Sequence, residues 1–327
     1  MLIFGIETSC DETACAIVKD GREVISNVVA SQIKTHQAFG GVVPEVAARE
    51  HLDAINVVIE ETFAQSGIKP SEIDAFASTA GPGLVGCLLV GLNAAKTMSL
   101  VYNKPYIPVN HLKAHVCANF IDTDLKPPFT CLLVSGGHTQ IINVSDYGKS
   151  EIAASTIDDA TGEVYDKVAR LLGLSYPGGI QLDKLAQNGN REAFKLPKAK
   201  VGEDEFSFSG LKTAVLRLTQ RFKNEQMPVN DICASFQETI TSTLIKKTVK
   251  IAQKNNSKTI VLAGGVAANS RLREKLFELQ KPENGSYQVF APKMKYCTDN
   301  AAMVASAAFF NPMKVENPLE LEVFSRG

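Results

Sequence analysis

Leu2–Val29 reads LIFGIETSCDETACAIVKDGREVISNVV, and the fold class follows from it. LIFGIETS is a short apolar run of the kind that forms a buried strand. ACAIVKDGREVISNVV predicts two more strands joined by a tight turn at Asp20 and Gly21, so the chain opens as an antiparallel meander. The same order recurs in Phe129–Thr156, FTCLLVSGGHTQIINVSDYGKSEIAAST, as strand, tight turn, strand, turn, strand. STAGPGLVGCLLVGLNAAKT and LAGGVAANSRLREKL also share an order of strand, glycine turn and helix. Residue identities between the halves are weak, but the matched order predicts a duplicated lobe rather than a short-period solenoid. Two such lobes across a cleft would set two strand-turn-strand loops on opposite sides of a ligand. Consecutive backbone N–H groups in such turns hold phosphate oxygens, so the implied ligand is a nucleotide.

Composition narrows the class. Hydrophobic residues make up 45% and charged residues 21% of 327 residues, the balance of an ordinary globular chain with room for two lobes. A formal charge of -1 gives no global field for polyanions, so a nucleic acid must meet a local patch. The candidates are KLPKAK, Lys195–Lys200, and the run Lys246, Lys247, Lys250, Lys254; each also reads as a solvated surface. Seven scattered cysteines form neither a disulfide framework nor a zinc-ribbon spacing, so they read as small buried apolar residues in a reducing compartment. MLIFGIETSCDE has no basic leader region, and no stretch reads as long and apolar enough to cross a bilayer. The expected location is the cytoplasm.

Several short stretches could carry chemistry. His111 and His115, in HLKAH, share one face if the stretch is helical; they are either a metal clip or two polar residues on a half-exposed helix. In CTDNAAMVASAAF, Asp299 and Asn300 precede a small-residue helix and could cap it. Asp299 could instead join the two histidines, a donor set that leaves positions open for substrate oxygens on Zn(II) or Fe(II). Ser135, Gly136, Gly137 and His138 form either a phosphate-binding turn or a plain hairpin turn. Gly264 and Gly265 lie between a strand and a helix, where an anion is favoured, and Asn269 is also a natural helix cap. Asp166, on an expected helix, and Asp183, expected just past the turn at Gly178 and Gly179, suit ribose hydroxyls or are ordinary surface acids. Asp11 and Glu12, in TSCDET, could orient an amine or accept a proton, or merely form the turn.

These strings also occur together in one known pattern. FGIETSCDET, GGVVPEVAAREH, AGPGLVGCLLVG, HLKAH, LLVSGGHTQ, GEVYDKVARLLGL, YPGG, FSFSGLKTAV, LAGGVAANSRLR and CTDNAAM stand in the order found in the TsaD family of tRNA threonylcarbamoyladenosine enzymes, which the whole chain resembles. The resemblance implies an α/β fold of the actin, sugar-kinase and Hsp70 type (ASKHA), with residues 1–124 plus 300–327 as one lobe and 125–299 as the other. It implies transfer of a threonylcarbamoyl group from threonylcarbamoyl-adenylate to N6 of adenine 37 in tRNAs reading codons that begin with A, releasing AMP.

By position, His111, His115 and Asp299 match the family's ligands for one divalent metal ion, Fe(II) or Zn(II). Val134, Ser135, Gly136, Gly137 and His138 match its substrate loop, and Asp166, Gly179, Asp183 and Asn269 match positions that hold the adenylate. Asp11 is the choice for a general base. Two residues depart from family patterns: Leu133 stands where archaeal and eukaryotic relatives place a metal-reaching tyrosine, and Lys113 where an acidic residue is frequent. The expected partners are tRNA, a paralogous subunit (TsaB) that pairs through the N-terminal lobe around Glu45–Glu60, and a small ATPase (TsaE), with no membrane. A metallopeptidase is disfavoured because Leu112, not glutamate, follows His111. An ATPase or nucleotide-binding scaffold without transferase activity has no reason to keep the metal triad.

Overall fold

The computed structural model describes residues 1–222 and 226–326. The chain divides into two compact units. One comprises residues 1–126, 147–149 and those from Pro292 onward; the other comprises residues 127–146 and 150–291.

In the first unit, β1 (Leu2–Glu7), β2 (Glu12–Lys19) and β3 (Glu23–Ser31) form the expected meander. Asp20 and Gly21 both have positive φ (51° and 67°), which gives the tight β2–β3 turn the twist of its strands. After α1 (Ile33–Gln37), helix α2 (Pro44–Ser66) starts at a proline and stops at Gly67, whose φ of 68° closes it. β4 (Ala75–Gly81), α3 (Val85–Tyr102), β5 (Tyr106–Asn110) and α4 (His111–Cys117) follow. The sheet order is β3-β2-β1-β4-β5, with β4 and β5 parallel to β1.

Helix α3 corrects one expectation, because by length and composition alone it could cross a membrane. Its apolar character has a local use: Cys87, Leu88, Gly91, Leu92 and Ala95 are buried, and Leu92 and Ala95 join the core of Phe4, Ile6, Ile17 and Phe76.

The second unit repeats the plan. β6 (Phe129–Val134), β7 (Thr139–Asp146) and β8 (Lys149–Thr156) form the second meander. Helices α5 (Thr161–Leu171) and α6 (Gly178–Ala186), the short strand β9 (Glu205–Phe206), and helices α7 (Ser209–Thr219) and α8 (Val229–Lys254) come next. β10 (Thr259–Ala263), α9 (Ser270–Glu278) and β11 (Gln288–Phe290) complete it. Its sheet runs β11-β10-β6-β7-β8-β9. Read from the meander, β8-β7-β6-β10-β11 matches β3-β2-β1-β4-β5 strand for strand, and β10 is parallel to β6 as β4 is to β1.

The chain returns to the first unit with α10 (Ala301–Phe310), every residue of which from Ala301 to Ala308 is buried. Helix α10 lies flush on β1 at Gly5. A Cβ there would come within 2.7 Å of the Ala301 carbonyl oxygen and 2.9 Å of the Ala305 nitrogen. Glycine on the strand and alanines on the helix are thus steric requirements of one contact.

An ion cluster ties α8 to α9, the helix that Asn269 opens. Glu238 accepts from Arg271 Nε (2.8 Å), Lys275 Nζ (2.7 Å) and Ser242 Oγ (2.8 Å). Partial burial alone would raise its pKa, but these donors hold it near 2, below its ordinary 4.5. A depressed carboxylate stabilises the fold above its unfolded-state pKa, and that contribution fades as pH falls through the folded value. Glu238→Gln is therefore expected to lower the thermal midpoint at neutral pH, with the gap from wild type closing between about pH 4.5 and 2. A gap that stays constant in a pH series of melting curves would contradict the ionic role.

Candidate active site

Asn110 decides where α4 begins. Its side chain accepts from Leu112 N (3.0 Å) and Lys113 N (3.1 Å), so the first helical residue is His111 and His115 lies one turn on. The two rings stand 4.7 Å apart, centre to centre. Asp299 reaches them from the segment before α10: its Oδ1 lies 3.6 Å from His111 Nε2 and 3.1 Å from His115 Nε2. The sequence left Asp299 and Asn300 as rival helix caps, and Asn300 takes that task by accepting from Met303 N at 3.1 Å. Asp299 is left to face the histidines.

Potential ligand atoms of His111, His115 and Asp299 all lie within 4.8 Å of one another. Donors around a tetrahedral ion with bonds of ~2.1 Å stand roughly 3.4 Å apart, close to the 3.6 and 3.1 Å from Asp299 to the two imidazoles, and three donors leave a fourth position open. Leu133, fully buried in β6, offers no further donor.

The charged groups at this centre act on one another. Burial disfavours protonated His111, yet Asp299 and Glu7 outweigh it and raise the imidazole pKa to about 9. Asp299 is held near 2 by His111 and His115 against the opposing effect of burial. Glu12 is pushed up to about 10, first by burial and then by the charges of Asp299 and Asp11. Asp11 itself is 8% exposed, just before β2.

Glu7 is the residue that sequence reading missed. It is a fully buried carboxylate at the end of β1, and it accepts from Ser9 N, from Thr79 Oγ1 (2.6 Å) and from His111 Nδ1 (3.1 Å). The available signal was an ionisable residue closing an otherwise apolar strand, which has no place in a core without a partner.

The second unit holds the remaining candidates. Between β6 and β7 the loop closes on itself, with Ser135 N donating to His138 O (2.8 Å) and His138 N to Ser135 Oγ (3.1 Å). Nothing lies within 4 Å of where a Cβ would sit on Gly136, Gly137 or Gly265, so the backbone is open at all three. Gly264, at φ 89°, packs where a Cβ would be 2.3 Å from Val134 O, and this contact sets the β10 turn against the Val134–His138 loop. The start of α5 braces the same loop through Gly162 N to Ser135 O (3.2 Å) and Thr161 N to Thr139 Oγ1 (2.8 Å).

Asp166 Oδ1 accepts from Gly179 N at 3.2 Å, so two residues named from sequence meet. Asp183 and Asn269 form a second pair at 3.2 Å. Asp183 lies within α6 rather than just past a turn, because Gly178 and Gly179 are already helical. A Cβ on Gly178 would be 2.4 Å from Ala169 Cβ, so glycine there lets α6 close on α5. Asp183 also accepts from Ser270 Oγ (2.7 Å) and Gln237 Nε2 (2.8 Å), while Asn269 caps α9 through Leu272 N (2.9 Å).

Comparison with known proteins bears on this arrangement. The fold resembles that of T. kodakarensis HypF, with a TM-score of 0.62 at 15% identity, over 94% of this chain and 47% of that one. It also resembles the Acidaminococcus fermentans (R)-2-hydroxyglutaryl-CoA dehydratase component A, with a TM-score of 0.57 at 17% identity, over 94% and 98% of the two chains. Both likenesses speak for an actin, sugar-kinase and Hsp70-like fold. In sequence, the chain is 52% identical to the tRNA N6-adenosine threonylcarbamoyltransferase of Clostridium perfringens over 96% of its own length and 93% of the relative's. Its identity to the enzyme of the same name from Gloeothece citriformis is also 52%, over 99% and 96%. With residues 23–306 matching the family profile as well, the chain belongs to the TsaD family of tRNA N6-adenosine threonylcarbamoyltransferases.

Proposed function

We propose that His111, His115 and Asp299 form the working metal centre of this threonylcarbamoyl transferase, with Fe(II) or Zn(II) as the ion. The observation that carries the reading is the convergence of three donor side chains from α4 and the α10 approach within 4.8 Å. The reaction passes the threonylcarbamoyl group from its adenylate to N6 of adenine 37 of tRNA. The N6–carbon bond forms, the bond from that carbon to the phosphate oxygen breaks, and AMP departs. When bound, the ion supplies Lewis acidity toward substrate oxygens.

The chain's own residues supply the rest. Open backbone at Gly136, Gly137 and Gly265 suits the adenylate phosphate, with Val134, Ser135 and His138 shaping the loop. The Asp166–Gly179 and Asp183–Asn269 pairs suit the nucleoside. Asp11 is assigned as acceptor of the N6 proton. Sequence rivals fare less well: Leu112 after His111 removes the peptidase base, and a scaffold without transferase activity would not resemble named transferases along its whole length.

His111→Ala and Asp299→Ala are expected to lose bound metal and t6A formation together. The drop should exceed the roughly 10–100-fold that outer positions cause in metal sites, because a direct ligand is removed. Full activity in both variants, measured with threonylcarbamoyl-adenylate and the bacterial partner proteins, would exclude the metal role.

The partner assignments rest on surfaces. Around Glu45–Glu60, α2 exposes Leu52 (61%) and Val57 (65%), apolar residues that suit a paralogous TsaB subunit. A small ATPase (TsaE) completes the proposed set, in the cytoplasm. For tRNA, the two lysine stretches converge: Lys198, Lys200 and Lys247 line one pocket of about 180 Å³ in the second unit, together with Phe206 and Phe208. Lys250 is paired with Glu203, so the Lys198 and Lys200 side matters more. Lys198→Glu with Lys200→Glu should weaken tRNA binding and flatten its salt dependence while leaving adenylate affinity unchanged. An unaltered salt slope in filter binding would exclude this surface.

A further inference from the structure

We infer that Glu7 is the positioning residue of His111: its carboxylate holds the imidazole proton on Nδ1 and so leaves the Nε2 lone pair free for a metal ion on the side of Asp299. The inference rests on the metal reading above and adds to it a residue outside the triad. His111 Nδ1 lies 3.1 Å from Glu7 Oε2, on the opposite side of the ring from Nε2. The other neighbours of the carboxylate, Ser9 N and the Thr79 hydroxyl, can both donate to it, and Ser9 N can do nothing else. A fully buried carboxylate met by three such groups accepts from all of them, and His111 must then present an N–H at Nδ1. His115 has no equivalent support, since its Nδ1 is buried without a hydrogen-bond partner. One of the two imidazoles is thus oriented from behind and the other is not. Such backing typically fixes a ligand's tautomer and ring angle and makes it more basic.

The Gln replacement is informative because it cannot satisfy the site in either orientation. With its oxygen toward Ser9 N, its NH2 faces His111 Nδ1 and demands a lone pair there, which moves the imidazole proton to Nε2 and blocks that donor. With its oxygen toward His111, its NH2 meets the Ser9 N–H, donor against donor. Ser9 Oγ also lies 3.2 Å from His111 Nδ1 and is the competing candidate for the same task.

The experiment measures Zn(II) affinity of the full-length, metal-free protein by competition with a chromophoric chelator, for wild type, Glu7→Gln and Ser9→Ala. Thermal midpoints of the metal-free forms are recorded alongside. The expected result is a loss of about 10–100-fold in Glu7→Gln, with a cooperative transition retained, and nearly unchanged affinity in Ser9→Ala. Equal affinity in Glu7→Gln and wild type, or an equal loss in Ser9→Ala, overturns the assignment. If Glu7→Gln does not fold, nitrogen NMR of Zn-loaded wild type labelled at histidine decides: ligation of His111 through Nε2 with a proton on Nδ1 supports the role, and ligation through Nδ1 overturns it. Failure of wild type to bind Zn(II) or Fe(II) at all would instead remove the metal reading itself.

Discussion

The candidate metal centre depends on one steric contact, the seating of α10 on β1 at Gly5. Any side chain there would run into the backbone of Ala301 and Ala305. Because helix and strand touch directly, Asp299, two residues before the helix, is delivered to the end of β1, where Glu7 and the start of α4 already lie. The alanines of AAMVASAAFF are the helix side of the same requirement, as interiors packed at crystal-like density leave no slack for larger groups. The meeting of Glu7 and Asp299, residues from nearly opposite ends of the chain, around His111 therefore rests on the absence of one Cβ.

Close packing creates an electrostatic problem that the charged groups solve among themselves. Glu7, His111, His115 and Asp299 are largely withdrawn from water, and isolated charges in such a place are strongly disfavoured. His111 sits between two carboxylates, which raises its pKa, and His111 together with His115 lowers that of Asp299. His111, His115 and Asp299 would hold a divalent cation, which would compete with the imidazole proton for the same nitrogen, so ion binding would be linked to proton release.

Much of this was legible from the residues alone, for identifiable reasons. Strand periodicity, the Asp20–Gly21 turn, Pro44 and Gly67 are local signals, and each appears where local physics puts it. The repeat was legible because element order survives when residue identity does not. The division of labour between Asp299 and Asn300 was not legible, since both are good caps and only α10's orientation decides which one turns away. Gly178 and Gly179 read as a turn because paired glycines usually are one, while the tight approach to Ala169 makes them the start of α6. Glu7 escaped notice because its partners, Thr79 and His111, lie far along the chain, and no periodicity reports a hydrogen bond across that distance.

The duplicated plan also separates opposite chemistries at equivalent positions. The β1–β2 turn carries Asp11, with Glu12 opening β2, whereas the matching β6–β7 turn carries Gly136 and Gly137 with open backbone. Carboxylates at the first have the chemistry to attract a cation; exposed N–H groups at the second have the chemistry to accept an anion. The same strand order frames both turns, so the difference resides in a few turn residues and not in the scaffold. Duplication followed by divergence of one turn is a physically economical way for a single chain to carry both kinds of turn on one plan.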